Sequence, residues 1–289
     1  ARVVVIGGGV VGVSALYHLA KKGWSDVVLV ERKELTSGST WHAAGLLPLF
    51  NMSYSVGQIH KYSVKFYQEL QEETGMNVGF RNVSNIRLAQ TRDRMDEYQQ
   101  YAGVASTIGV EVDFLTPDGV RDLWPLCNTE GLVGAIRHPG DGYIQPADLT
   151  QALARGARDR GAEIYRNTSV TSISRTLSGE WKVTTDKGEI TCEHIVSASG
   201  NVARKTGRMV GLELPVLAME HMYLLTEDMP EVAEINANTG AEVLHAVDFE
   251  GEIYLRQERA GMLMGTYEKA CKPWSETTTP VSYTHLTLP

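Results

Sequence analysis

The chain has 289 residues, 43% hydrophobic and 21% charged, an ordinary composition with enough apolar residues for a sizeable core. Its 27 basic residues against 35 acidic ones leave a net charge of −8, and the absence of a basic run argues against a nucleic-acid binder. No stretch approaches the roughly 18 apolar residues of a membrane span. Cys127, Cys192 and Cys271 lie too far apart for a metal motif and read as buried thiols of a reducing compartment.

Residues 2–6, RVVVI, form an apolar run suited to a central parallel strand buried on both faces. A glycine turn follows, Gly7-Gly8-Gly9-Val10-Val11-Gly12. Val10, Val13, Ala15, Leu16, Leu19 and Ala20 then recur at helical spacing as far as about Lys22. Gly23 supplies the C-cap and DVVLVE (26–31) the second strand. A glycine turn alone can serve packing only, but this one joins a buried strand to an amphipathic helix and fits G-x-G-x-x-G. Gly7 would make the tight turn, Gly9 would let backbone approach a pyrophosphate, and Gly12 would allow close helix–strand packing. The helix N-terminus offers N–H groups to phosphate, and Glu31, 19 residues after Gly12, is placed to accept from a ribose hydroxyl.

Further along, residues 55–74 read as a helix with Val56, Ile59, Tyr62, Phe66 and Leu70 on one side. Strand character over 79–91 precedes a helix over 92–108 and a short helix within 115–125. Residues 131–173 repeat strand, turn, helix and strand, with Leu149, Leu153 and Ala157 as the helix stripe. Two short strands around the Asp186-Lys187-Gly188 turn lead to a buried strand, HIVSASG (194–200), whose small residues suit a return toward a cofactor. From Leu214 onward, 214–227, 251–258 and 261–268 are strand-like and suit an antiparallel sheet. The expected fold is α/β (α+β overall), a Rossmann-like FAD-binding domain interleaved with a mainly antiparallel-sheet substrate domain. The FAD-binding parts are about 1–77 and 140–213, and the substrate-domain parts about 78–139 and 214–280. FAD is preferred to nicotinamide because a single motif at the start has a long, interrupted second half. Ala1 stands directly at the first strand with no targeting segment, and 281–289 read as a foreign tail, so the chain is expected to be a fragment.

With ERKELTSGSTWHAAGLL (31–47), DGYIQPADLTQALARGARDRGA (141–162), EHMYLLTEDMPEV (220–232) and YLRQERAGMLMGTYE (254–268), the sequence resembles the dimethylglycine and sarcosine dehydrogenases. These belong to the flavin-dependent amine and amino-acid oxidoreductases. The most specific element is STWHAAGL (39–46): the resemblance implies that His42 is bonded covalently to the flavin, a neutral imidazole nitrogen being the attacking group. A plain loop histidine beside a packing Trp41 is the alternative. Small Ala43, Ala44 and Gly45 would let the backbone pass close to the ring system. Carried over by motif, the FAD contacts fall on Val10, Val11, Glu31, Arg32, Gly38, Ser39, Thr40, Trp41, His42, Ala43, Ala44, Gly45, Leu46 and Val202, with the Val170 backbone addressing the adenine.

The resemblance also implies an active-site histidine in an HQY strand and a tyrosine in a neighbouring strand. Here these become His221, in His221-Met222-Tyr223, and Tyr254, favoured for those roles over a purely structural place in the sheet. Oxidation would require an unprotonated amine: His221 would accept the proton, Tyr254 would hydrogen-bond the substrate, and hydride would pass to the flavin. The resulting iminium would hydrolyse to formaldehyde and a demethylated amine. Arg256 is a candidate for a substrate carboxylate or a structural arginine. The implied substrate is an N-methylated amino acid, dimethylglycine or sarcosine, with an electron-transfer protein as a possible acceptor. Full-length relatives continue into a flavin-closing segment and a tetrahydrofolate-binding region, so residues 1–289 alone are expected to be inactive. The compartment would be the cytoplasm in a bacterium or the mitochondrial matrix in a eukaryote. Non-covalent FAD chemistry on another amino or hydroxy acid is one alternative. A non-catalytic role, as in the related regulatory subunit of a phosphatase acting on pyruvate dehydrogenase, is another.

Overall fold

The computed structural model of the chain describes residues 1–274, so the tail expected to be foreign lies outside the described residues. A four-stranded parallel sheet runs in the order His194–Ser197, Val3–Ile6, Val27–Val30, Glu163–Tyr165. Every residue of its two central strands is buried, because both faces are covered. On one face Val3, Val5 and Leu29 meet Leu16 and Tyr17 of the helix Val10–Lys21 and Leu153 of the helix Pro146–Arg158. On the other, Val4 and Val28 meet Ile173, Val183 and Cys192 of an antiparallel sheet built from Val170–Arg175, Trp181–Thr185 and Gly188–Cys192. Each such fully buried aliphatic side chain contributes about 1.5–3 kcal/mol, which holds the glycine turn on a rigid base.

A seven-stranded sheet carries the second core. Its order is Tyr223–Leu225, Gly261–Thr266, Ile253–Glu258, His245–Asp248, Asn85–Ala89, Gly134–His138, Asp113–Leu115. All pairs are antiparallel except His245–Asp248 with Asn85–Ala89. The strand period of two divides its residues: Ile86 and Leu88 pack with Val120, Trp124 and Val232 on one face. Ala89 and Ile136 pack with Tyr98, Tyr101 and Ala105 of the helix Arg92–Ile108 on the other. A small sheet, Leu46–Leu47, Gly142–Tyr143 and Arg81–Asn82, joins the loop ending at Leu46 to this second layer.

Several expected elements change. The strand read over 214–227 shrinks to Tyr223–Leu225, with only an isolated bridge from Met219 to Pro273 before it. The strand over 79–91 breaks at Ser84, whose φ of 68° leaves the extended region. A helix at Pro230–Thr239 went unread, although Pro230 opens it and Gly240, with φ 68°, closes it. Of the three cysteines expected to be buried, only Cys192 is; Cys127 and Cys271 are half-exposed. Among the described residues no helix is long and apolar enough to cross a membrane.

Candidate functional site

The glycine turn is built from contacts that leave no room for side chains. A Cβ on Gly7 would lie 2.3 Å from the Ala198 carbonyl oxygen, and one on Gly12 would lie 2.0 Å from that of Gly7. Gly8, the second position of the motif, is equally constrained: an added Cβ would lie 2.7 Å from Leu35 and 2.8 Å from Glu31 side-chain atoms. The helix begins at Gly9 with no side-chain cap of its own, and Val11 in its first turn is 70% exposed. Its leading N–H groups lack intrahelical acceptors, as in any helix. The Val10 N–H donates instead to Thr40 Oγ1 at 3.0 Å, which brings the SGSTWH loop onto this N-terminus.

Glu31 is fixed by two backbone donors. Its Oε2 accepts from the Gly8 N–H at 2.7 Å and its Oε1 from the Lys33 N–H at 2.8 Å. A carboxylate has about four lone-pair sites, so each oxygen keeps one for a ribose hydroxyl. Arg32 is half-buried beside it. The Ala198 N–H donates to the Ile6 carbonyl, holding residues 196–200 against the glycine turn, and Val202 closes the 3-10 turn Gly200–Val202. Val170 sits at a bulge, its strand register shifting before Ser172, and its side chain packs with the Val4–Val28 core. The turn, the bare helix end and the bound but unsaturated Glu31 fit a dinucleotide.

The loop from Gly38 to Leu46 is anchored along its length. His42 Nδ1 stands 3.1 Å from the Gly38 carbonyl oxygen, an acceptor only, so Nδ1 carries the proton and the neutral ring's lone pair falls on Nε2. The Trp41 ring lies 4.0 Å from that of His42 and is 46% exposed, while Gly38 has nothing near its Cα face and Ser39 and Ala43 are exposed. Ala44 O accepts from Arg256 Nε at 2.7 Å. Gly45 adopts φ 74° and its carbonyl accepts from the Ile144 N–H at 2.9 Å, after which Leu46 pairs with Tyr143. A side chain at Gly45 would strike the Ile144 oxygen at 2.0 Å.

Across this loop lies one face of the seven-stranded sheet. Tyr223, Gly265 and Tyr254 are direct cross-strand neighbours. Gly265, unread from sequence, lets the Tyr254 ring lie flat over its strand: an added Cβ would meet Tyr254 Cζ at 2.0 Å. Tyr254 is 8% exposed, and burial, reinforced by nearby Tyr267, Tyr223 and Glu268, raises its phenol so that it stays protonated. His221 falls two residues outside the strand expected to carry it and is exposed. Its Nδ1 pairs with Glu268 Oε2 at 2.7 Å. The Thr266 hydroxyl, then the backbone N–H of Glu268 itself, and only then His221 hold the Glu268 carboxyl down at about 2. Cys271 donates to the Glu220 carbonyl at 3.1 Å beside this pair.

Arg256 is not available to a substrate. Its side chain is 4% exposed, its Nη1 donates to the Gln257 carbonyl at 2.7 Å, its Nη2 pairs with Glu258 at 2.7 Å, and its plane covers the Tyr143 ring. Of the two roles open to it from sequence, the structural one holds.

The family model for FAD dependent oxidoreductases (DAO) matches residues 2–287. Over 268 residues the chain is 43% identical to the mitochondrial dimethylglycine dehydrogenase of Rattus norvegicus, covering 93% of this chain and 31% of the rat protein. Over 285 residues it is 36% identical to the mitochondrial sarcosine dehydrogenase of Homo sapiens, covering 96% and 30% respectively. The solved L-proline dehydrogenase of P. horikoshii matches with a TM-score of 0.82 at 25% identity, over 92% of this chain and 69% of that one. The chain thus spans about a third of the length of the curated relatives it matches.

Proposed function

The chain belongs to the FAD-dependent oxidoreductase family, and on that premise we propose that its parent protein oxidatively demethylates an N-methylated amino acid, with FAD held covalently through His42. FAD, when bound, supplies the hydride acceptor. The observation that supports this reading best is the run of contacts through residues 38–46. At Thr40 the loop caps the helix of the glycine turn, and at Ala44 it is tied to the strand of Tyr254.

The chain's own groups account for the proton chemistry. A protonated amine has no lone pair to assist loss of hydride from its N-methyl carbon, so the substrate must first give up a proton. His221, with Nδ1 hydrogen-bonded to an ionised Glu268, presents Nε2 as the base, and the carboxylate steadies the imidazolium that forms. Tyr254, kept protonated by burial, donates to the substrate. His42, oriented by the bond from Nδ1 to the Gly38 carbonyl, is the residue proposed for attachment. Dimethylglycine and sarcosine, the substrates in the relatives' names, are both amines with a carboxylate close by. An electron-transfer protein as final acceptor and a tetrahydrofolate site beyond this stretch complete the proposal.

The test is acid precipitation of the full-length parent. Retained yellow flavin that is lost in His42→Ala, together with turnover of dimethylglycine or sarcosine, is the expected result. Flavin released completely from the unaltered protein overturns covalent attachment, and failure to bind flavin at all favours a non-catalytic role.

A further inference from the structure

With Arg256 committed to the loop, a second arginine on the same sheet face stands out. Arg87 is 6% exposed, and among the described residues it makes neither a hydrogen bond nor an ion pair; its Nε is buried with no partner. Its guanidinium is held between aromatic rings instead, 4.3 Å from the centroid of Phe50 and 5.3 Å from that of Phe249.

Register places it relative to the proposed substrate strand. Tyr254 is opposite Val247, and Val247 is opposite Arg87, so Tyr254 and Arg87 project from the same face two strands apart. Two steps of about 4.8 Å separate their backbones, a gap that two long side chains can close onto one small molecule. The rings between them form a continuous wall, Phe249 to Tyr267 at 6.3 Å and Tyr267 to Tyr254 at 5.3 Å.

A guanidinium removed from water without an anion is costly, several kcal/mol after relaxation. Of the charged and titratable neighbours, Asp141 and then Tyr98, Tyr267 and Tyr101 favour the cation, but none pairs with it and burial outweighs them. Asp141 makes no ion pair with Arg87, accepts from the Leu49 N–H at Oδ1 over 2.9 Å, and is pushed up to about 7 by burial. His138 and His245 are both neutral in this apolar setting, and Tyr98, Tyr101 and Tyr267 are protonated phenols.

We propose that Arg87 binds the carboxylate of the substrate, with Phe249 and Tyr267 lining the path to Tyr254. The inference deepens the proposed demethylase reading by naming the residue that selects amino acids over simple amines. The guanidinium fork matches a carboxylate bidentately, which a single ammonium cannot do.

The test uses the full-length flavoprotein with two probes. Glycine betaine carries the carboxylate but has no nitrogen lone pair, so its binding can be read as a shift in flavin absorption without turnover. N,N-dimethylethanolamine carries the amine without the carboxylate. Arg87→Met is expected to weaken glycine betaine binding about 10- to 100-fold, the value of charge-assisted hydrogen bonds, with N,N-dimethylethanolamine oxidation changed less than about threefold. Arg87→Lys is expected to fall between, and serves alone if Arg87→Met loses its flavin. Unchanged glycine betaine binding in Arg87→Lys and Arg87→Met, or no flavin shift with the unaltered protein, overturns the proposal. If carboxylates bind in an Arg87-dependent way but no N-methyl amino acid is demethylated, the demethylase reading fails and the carboxylate site stands.

Discussion

The Nε of Arg256 donates to the carbonyl oxygen of Ala44 at 2.7 Å, across 212 positions of sequence. Ala44 lies two residues after His42 and Arg256 two residues after Tyr254, so one hydrogen bond joins the proposed flavin attachment loop to the proposed substrate strand. Gly45 and Ile144 continue the tie one residue later. The distance between the two candidate centres is therefore set by an arginine that touches neither.

Replacing that arginine tests the tie. Arg256→Met strands the Ala44 carbonyl and the half-buried Glu258 carboxylate, and breaking a buried pair in this way costs about 3 kcal/mol. Thermal unfolding of the full-length protein should register the loss, and the fraction of flavin retained in acid should drop because the His42 loop is no longer held. Arg256→Lys keeps the charge but not the fork, so it should recover little. A variant with normal acid-retained flavin would remove Arg256 from any positioning role.

Gly265 offers a sharper probe of Tyr254. Its missing side chain leaves the space where the phenol lies, and an alanine Cβ would fall 2.1 Å from Tyr254 Oη. Gly265→Ala must swing the ring away, whereas Tyr254→Phe removes only the hydroxyl. Both should lower kcat/KM for dimethylglycine, by about tenfold for the phenylalanine variant, the value of one lost hydrogen bond, and by more for the alanine one. Flavin content should stay normal in both. Equal activity in Gly265→Ala and the unaltered protein would show that Tyr254 does not touch substrate.

The parallel sheet and its glycine turn were legible because their signals are local. A continuous apolar run, a glycine turn, a periodic helix and an acid follow within 31 residues. The site facing it depends on distant contacts. Arg87 sits at an alternating strand position that reads as solvent-facing, and it is covered by distant residues, among them Phe50 from the loop and Phe249 from a hairpin. His221 and Glu268 are 47 residues apart, and no spacing rule joins them. The helix Pro230–Thr239 has good punctuation but buries only Val232, so its apolar stripe was too faint to register.

Glycine substitutions separate the nucleotide turn from its neighbouring loop. Gly12→Ala places a Cβ 2.0 Å from the Gly7 carbonyl oxygen, a backbone atom that cannot give way without shifting the helix or the turn. Gly38→Ala meets nothing within 4 Å. The first should abolish flavin retention during purification, and the second should leave it intact, as read by the ratio of flavin to protein absorbance. Normal flavin content in Gly12→Ala would remove the turn from the cofactor site.

The buried groups around Arg87 fix a pH dependence whose sign follows from their shifts. Burial, then the charge of Arg87, lowers His138 and His245 from 6.5 to about 3, while burial raises Asp141 from 3.8 to about 7. The histidine contribution is complete above pH 6.5 and is lost as pH falls toward 3, because the unfolded chain takes up the protons first. The Asp141 contribution runs the other way, complete below 3.8 and lost as pH rises through about 7. Between 3.8 and 6.5 the unfolded chain binds two histidine protons and the folded chain one on Asp141, so a net single proton destabilises the fold as pH is lowered. This cluster therefore places greatest stability near pH 6.5. Denaturant unfolding across pH checks each part: Asp141→Asn should abolish the fall above pH 6.5 and double the acid slope, and His245→Gln should flatten the acid limb. An acid slope unchanged in His245→Gln would mean that His245 is already protonated in the fold, a second cation beside Arg87.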